Sequence, residues 1–159
     1  PNFINDMWRI MGLIFFNDRD NFVAEDSAGR KVRRFDRDKC AAFAAEKGIA
    51  MYDTACEVRR LKDNASDKFL EVVTPTDLKG LLERIPSCQA IVTTGQKATD
   101  VIIETFGCEE PAVGECTDFQ TGDRTMRFWR MPSSSRAYPL SLEKKAEFYR
   151  KMFDKEVRF

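Results

Sequence analysis

Three short strand-like stretches, interleaved with helical patterns, constrain this chain more than any other feature. They are Ile49-Ala50-Met51-Tyr52, Ala90-Ile91-Val92-Thr93 and Thr125 to Met131. Strands that alternate with helices predict a parallel sheet carrying helices on both faces. The helical patterns are read from spacing. Met7, Met11, Ile14 and Phe15 recur over Asn5–Phe16, and Asp36–Lys47 turns Cys40, Phe43 and Ala44 inward before stopping at Gly48. Thr74-Pro75-Thr76-Asp77 opens a third helix, with Thr74 as cap, Leu78, Leu81, Leu82 and Ile85 as its stripe, and Pro86 as its stop. Gly95-Gln96-Lys97 turns straight into a helix bearing Ala98, Val101, Ile102 and Phe106. Ser141 caps the last helix, on which Leu142, Ala146, Tyr149 and Phe153 share one face. Glu57–Ser66, with Arg59, Arg60 and Lys62, reads as a polar loop, and Gly107–Gly122 reads as irregular. A chain of 159 residues without repeats or low-complexity linkers suits one domain, 1–159.

Composition removes several chemistries. The chain has no histidine, which excludes Ser-His and Cys-His machinery and imidazole acid–base catalysis. Cys40, Cys56, Cys88, Cys108 and Cys116 include no C-x-x-C pair, so reduced, mostly buried thiols are expected and a zinc or iron–sulfur site is not. The 26 basic residues balance 26 acidic ones, so any footprint for a polyanion must be local. Gly29-Arg30-Lys31-Val32-Arg33-Arg34 is one such concentration, a basic loop or short hairpin with a solvated surface as the simpler reading and phosphate contact as the other. No apolar run is long enough to span a membrane.

Sites in open parallel sheets form beyond the carboxyl ends of the strands. That rule gathers Asp53-Thr54, Thr94 to Lys97 and Pro132 to Pro139. The last of these, Pro132-Ser133-Ser134-Ser135-Arg136-Ala137-Tyr138-Pro139, is the sharpest. Serine hydroxyls and backbone N–H groups bind phosphate oxygens, arginine pairs with phosphate or enters a groove, and tyrosine stacks on a base. A plain Ser-rich surface loop has the same composition. Asp53, at the end of an expected buried strand, suits hydrogen bonding to a base edge, general-base work, or simple capping of the next turn. Lys97 adds a charge at the Gly95 turn. Trp8 and Trp129 are read as core.

Four segments, in order, resemble the uracil-DNA glycosylase superfamily, nearest its mismatch-specific thymine/uracil and hypoxanthine-DNA glycosylase branches. Asn5-Asp6-Met7-Trp8 is similar to the family's Asn-x-aromatic-Trp helix start, and Gly48-Ile49-Ala50-Met51-Tyr52-Asp53 to its Gly-Leu-Trp-Asp strand. Thr94-Gly95-Gln96-Lys97-Ala98 resembles the Gly-Lys/Arg-x-Ala turn. Met131-Pro132-Ser133-Ser134-Ser135 with Ser141-Leu142-Glu143-Lys144-Lys145 resembles the Leu-Pro-Ser-Ser-Ser or Leu-Pro-Asn-Pro-Ser loop and its following helix.

The resemblance implies a three-layer α/β/α sandwich around a short parallel sheet, and metal-free, cofactor-free hydrolysis of the N-glycosidic bond of a flipped base in double-stranded DNA. It implies base recognition by Asp53, leaving-group support by Ser133, and phosphate contacts from Ser134, Ser135 and Lys97. Arg136, Ala137 and Tyr138 take the place of the wedge that enters the duplex. The family's water-positioning motif lies upstream of the Asn-x-x-Trp helix, so the first strand and the water-activating residue are expected before Pro1. Ser133 stands where other branches carry His or Asn and is a weaker electrophile than His, which suits a leaving group that needs less help or is itself protonated. A monomer is expected, intracellular, and cytoplasmic and nucleoid-associated in a bacterial source. Two other functions fit the same residues: a non-catalytic nucleic-acid-binding relative, and an unrelated α/β protein holding a phosphorylated small molecule.

Overall fold

The computed structural model describes residues 1–60 and 70–156. The chain is α/β and divides into two compact units, Pro1–Met51 with Pro132–Phe159, and Tyr52–Met131.

The first unit is built from the two ends of the chain. Helix α1 (Met7–Phe16) is followed by a two-stranded antiparallel hairpin, β1 (Val23–Glu25) and β2 (Lys31–Phe35), then by α2 (Arg37–Lys47). The last helix, α5 (Leu142–Glu156), packs on α1. The Gly48 stop and the Ser141 cap form as expected, and Asp36 proves to be the cap of α2 rather than its first residue. Asp36 accepts from the Lys39 N–H at 3.1 Å. At the far end of α2, Gly48 (φ 66°) donates to Ala45 O and Ile49 to Ala44 O, the paired bonds of a Schellman stop. Ser141 Oγ accepts from the Lys144 N–H at 3.3 Å and opens α5.

The core of this unit is aromatic. Trp8 and Phe22 meet at 5.0 Å between centroids, Phe22 and Phe43 at 5.1 Å, and Phe15 meets both Phe43 and Phe153. Leu142, Ala146, Tyr149 and Phe153 are all buried, as their spacing predicts.

The second unit holds a three-stranded sheet in the order β5-β7-β6 and a separate antiparallel hairpin, β3 (Ala55–Arg60) with β4 (Leu70–Pro75). β5 (Ala90–Thr94) runs parallel to β7 (Arg124–Met131), while β6 (Cys116–Thr121) is antiparallel to β7. Helix α3 (Leu78–Arg84) precedes β5, and α4 (Gln96–Phe106) follows it. Leu82, Ile102, Phe119, Met126 and Phe128 form the buried core between these helices and the sheet. Trp129 is 1% exposed, a core residue as read, and so is Trp8 at 8%.

Several expectations are corrected. The sheet around β7 is mixed rather than purely parallel. Ile49–Tyr52 is no buried strand: it has no strand partners, and Met51 and Tyr52 are 45% and 68% exposed. The Schellman bond draws Ile49 back onto α2, and four apolar residues without a neighbouring strand have no ladder to join. Part of Glu57–Ser66 is strand, since β3 reaches Arg60; the rest of that stretch, including Lys62, lies outside the described residues. Within Gly107–Gly122, β6 forms. Thr74 belongs to β4, and Asp77 caps α3 by accepting from the Gly80 N–H at 3.1 Å. Among the described thiols burial is less than expected: Cys40 is buried, Cys88 and Cys108 are intermediate, and Cys116 is exposed, while the Cys56 side chain lies outside the described residues.

Candidate functional site

The serine loop begins where β7 ends, and the first unit holds it by an unusual concentration of charge. Asp6, 8% exposed, immediately precedes α1. Its N–H donates to Ser134 O at 2.8 Å, and Asn5 bridges Ser135, so the loop lies along the entry to α1. The Asp6 carboxylate faces three cations. Arg9 Nη1 stands 3.5 Å from Oδ1, Arg136 Nε 3.3 Å from Oδ1, and Lys145 Nζ 3.5 Å from Oδ2.

Two of these cations are buried, Arg9 at 3% and Lys145 at 1%. Buried charge is costly unless it is paired and hydrogen-bonded. Lys145 meets that condition by donating to Ser135 O at 2.8 Å, and Arg9 by donating to Phe3 O at 2.9 Å and Asn5 O at 3.3 Å. Arg9 also lies 4.5 Å from the Phe3 ring centroid and 5.0 Å from that of Phe35. Burial, with Arg136 close by, holds the Arg9 guanidinium below its usual range. Tyr149 completes the frame by donating its buried hydroxyl to Pro132 O at 2.7 Å, and burial pushes that phenol up.

Within this frame the hydroxyls are arranged to donate. Ser133 Oγ accepts from the Ser135 N–H at 3.2 Å, and Ser135 Oγ accepts from the Ala137 N–H at 3.3 Å. Each oxygen is thus engaged as acceptor and keeps its own O–H for a ligand. Ser134 is buried at 4% and serves the loop through its carbonyl. Arg136, Ala137 and Tyr138 are exposed, and the Tyr138 N–H closes a turn on Ser135 O at 3.1 Å. The arrangement offers two hydroxyl donors, one exposed guanidinium and one exposed aromatic ring on a rigid base, suited to a phosphodiester and its bases.

Asp53 and Lys97 belong to the second unit. Asp53 is exposed and does not end a strand; its carbonyl accepts from Thr76 Oγ1 at 2.6 Å. Lys97 is exposed in the first turn of α4, after Gly95 at φ 97° and ψ 172°, a conformation that only glycine adopts readily. Beside it Gln96 bonds Asp100 at 2.7 Å and Glu110 at 3.0 Å, and Arg130 pairs with Glu110 at 3.0 Å.

Sequence reasoning missed Asp6, Arg9 and Lys145 as a unit. One signal was present: Lys145 falls three residues after Leu142 and four before Tyr149, on the apolar stripe of α5, where a lysine needs a buried partner. Among the described residues no group of acidic, cysteine or histidine side chains could hold a metal ion, and no helix is long and apolar enough to cross a membrane. Set against protein-family models, curated proteins and solved structures, the chain matches none.

Proposed function

We propose that this chain carries the DNA-clamping and base-recognising parts of a monofunctional DNA glycosylase, a monomer that hydrolyses the N-glycosidic bond of a flipped uracil, thymine or hypoxanthine. The observation that carries the reading is the Asp6 hub. Two of the segments that resemble the uracil-DNA glycosylase superfamily, the Asn5–Trp8 helix start and the serine loop with its Ser141–Lys145 helix, are remote in sequence. They are tied together by Asp6, Arg136, Lys145 and the Ser134 and Ser135 carbonyls. A glycosylase needs this loop rigid, because phosphate contacts there hold the strand while one nucleotide leaves the stack.

In this reading Ser133 directs its O–H to the leaving base and stabilises charge as the glycosidic bond breaks. Ser135 and Lys97 hold phosphate, with Ser134 contributing through the backbone frame of the loop. Arg136, Ala137 and Tyr138 fill the gap in the duplex, and Asp53 reads the edge of the flipped base. The sheet and helices would belong to a three-layer α/β/α sandwich.

The test uses the full-length protein on duplexes containing uracil opposite guanine, thymine opposite guanine, or hypoxanthine opposite thymine, with abasic product as the readout. Excision of at least one base is expected, and Ser133→Ala is expected to lower its single-turnover rate by about 10²-fold. Duplex binding without abasic product from any substrate would favour the non-catalytic relative, and failure to bind DNA at all would end both readings.

A further inference from the structure

The basic hairpin is the one charged motif the serine loop does not absorb. From Gly29 to Lys39 the chain carries Arg30, Lys31, Arg33, Arg34, Arg37 and Lys39 against only Asp36 and Asp38, within a sequence of balanced charge. Some of this charge is neutralised locally. Arg30 pairs with Asp26 at 2.9 Å, Lys31 with Glu25 at 3.4 Å, and Lys39 is tethered to Asn21 O at 2.6 Å. Arg33, Arg34 and Arg37 are exposed and form no ion pair among the described residues.

Their positions are not explained by the fold. β2 buries only Phe35, so Arg33 and Arg34 cover no core. Arg37 is the first residue of α2, where the helix dipole disfavours a cation. Charge on a short exposed strand discourages edge pairing, a role open to Arg33 and Arg34 but not to Arg37 on a helix.

The hairpin is also physically joined to the loop. Phe35, at the end of β2, packs on Phe3 at 5.1 Å, Arg9 lies over both rings, and the Arg136 guanidinium lies 6.0 Å from the Phe3 centroid. Arg136 and the end of β2 therefore meet at one aromatic cluster, and Arg34 and Arg37 lie within two residues of Phe35 along the chain. Each strand of a B-form duplex presents one phosphate per about 3.4 Å of helix axis, so three arginines on one segment can meet several.

We propose that Arg33, Arg34 and Arg37 form a second phosphate-binding surface, continuing from the serine loop and contacting the backbone of the same double-stranded DNA without reading its sequence. This rests on the DNA-binding reading above. Each phosphate contact contributes about −0.9 to the slope of log Kobs against log salt.

The experiment measures that slope for the full-length protein on an undamaged duplex, as wild type, as Arg33→Gln/Arg34→Gln/Arg37→Gln, and as the matching triple lysine variant. The glutamine variant is expected to flatten the slope by about 2–3 units, the lysine variant to retain it, and excision at saturating duplex to stay within about twofold of wild type. An unchanged slope in the glutamine variant, with wild type still binding and excising, overturns this surface and leaves the glycosylase reading standing. A flattened slope in a protein that excises nothing supports the surface and removes the glycosylase. Loss of binding to phosphatidylserine vesicles with the DNA slope intact would assign the arginines to a membrane and overturn the proposal.

Discussion

Replacing Lys145 with methionine removes a buried ammonium while keeping an unbranched side chain in its place. At 3.5 Å, the Lys145–Asp6 attraction amounts to about 5 kcal/mol at an effective dielectric near 20, and removing the ammonium also removes its desolvation cost of several kcal/mol. Two losses remain: Asp6 keeps only Arg9 and Arg136, and the Ser135 carbonyl loses its 2.8 Å charged donor while keeping the Tyr138 N–H, about 1.5–3 kcal/mol. Lys145→Met should therefore cost about 2–4 kcal/mol. Asp6→Asn should cost about 3–5 kcal/mol, because it leaves Lys145, 1% exposed, as a buried charge without its counterion. The double variant has neither charge and should cost no more than the worse single one, a coupling of about 2–4 kcal/mol. Arg136→Ala should cost under about 1 kcal/mol, since its side chain is 46% exposed. Native-state hydrogen exchange of the α1 and α5 amides reads the opening of this unit directly. Additivity of the two substitutions to within about 0.5 kcal/mol would refute the hub.

Tyr149→Phe should destabilise the first unit by about 1–3 kcal/mol in the same exchange measurement, since it leaves the Pro132 carbonyl without its 2.7 Å donor. Gly12→Ala should be worse than a typical helix substitution and cost several kcal/mol in thermal unfolding, because a β-carbon there collides with the Asp18 carbonyl oxygen. Burial raises the Cys40 thiol from an ordinary 9.0 to about 11. Its neutral form is favoured in the fold, so the associated stability is complete below about pH 9 and is lost as pH rises towards 11. Native alkylation at pH 8 should therefore reach exposed Cys116 and spare Cys40, and a fast-reacting Cys40 would contradict the burial.

Much of this fold is legible in the sequence where local chemistry decides it. Asp36 and Gly48 bracket α2, Ser141 opens α5, and Gly95 marks the junction of β5 and α4, through side-chain caps or a positive φ that few residue types supply. The hairpin strands are less legible because partner strands, rather than their own residues, stabilise them. β3 carries Glu57, Arg59 and Arg60 and looks like a loop. β6 did offer a sign: Thr117, Phe119 and Thr121 alternate with Asp118 and Gln120 before Gly122 at φ 57°, and Phe119 alone is buried. At the candidate site, the serine loop shows in composition. The residues that hold it do not, because an aspartate at a helix start and a lysine inside a distant helix are ordinary taken one at a time.

That distance has a consequence in time. Asp6 and Lys145 are 139 residues apart, and the unit they stabilise consists of the first 51 residues and those from Pro132 onward. At a ribosomal rate of about 5–20 residues per second, Asp6 waits roughly 7–28 s for Lys145. During that interval α1 exposes Trp8, Ile10, Met11 and Ile14, an apolar face that ends up buried. Tyr52–Met131 has all of its own strands within one continuous stretch and can close first. The apolar face of α1 is therefore open to aggregation until α5 has been made, and cutting the chain short before Leu142 would leave α1 without the helix that covers it.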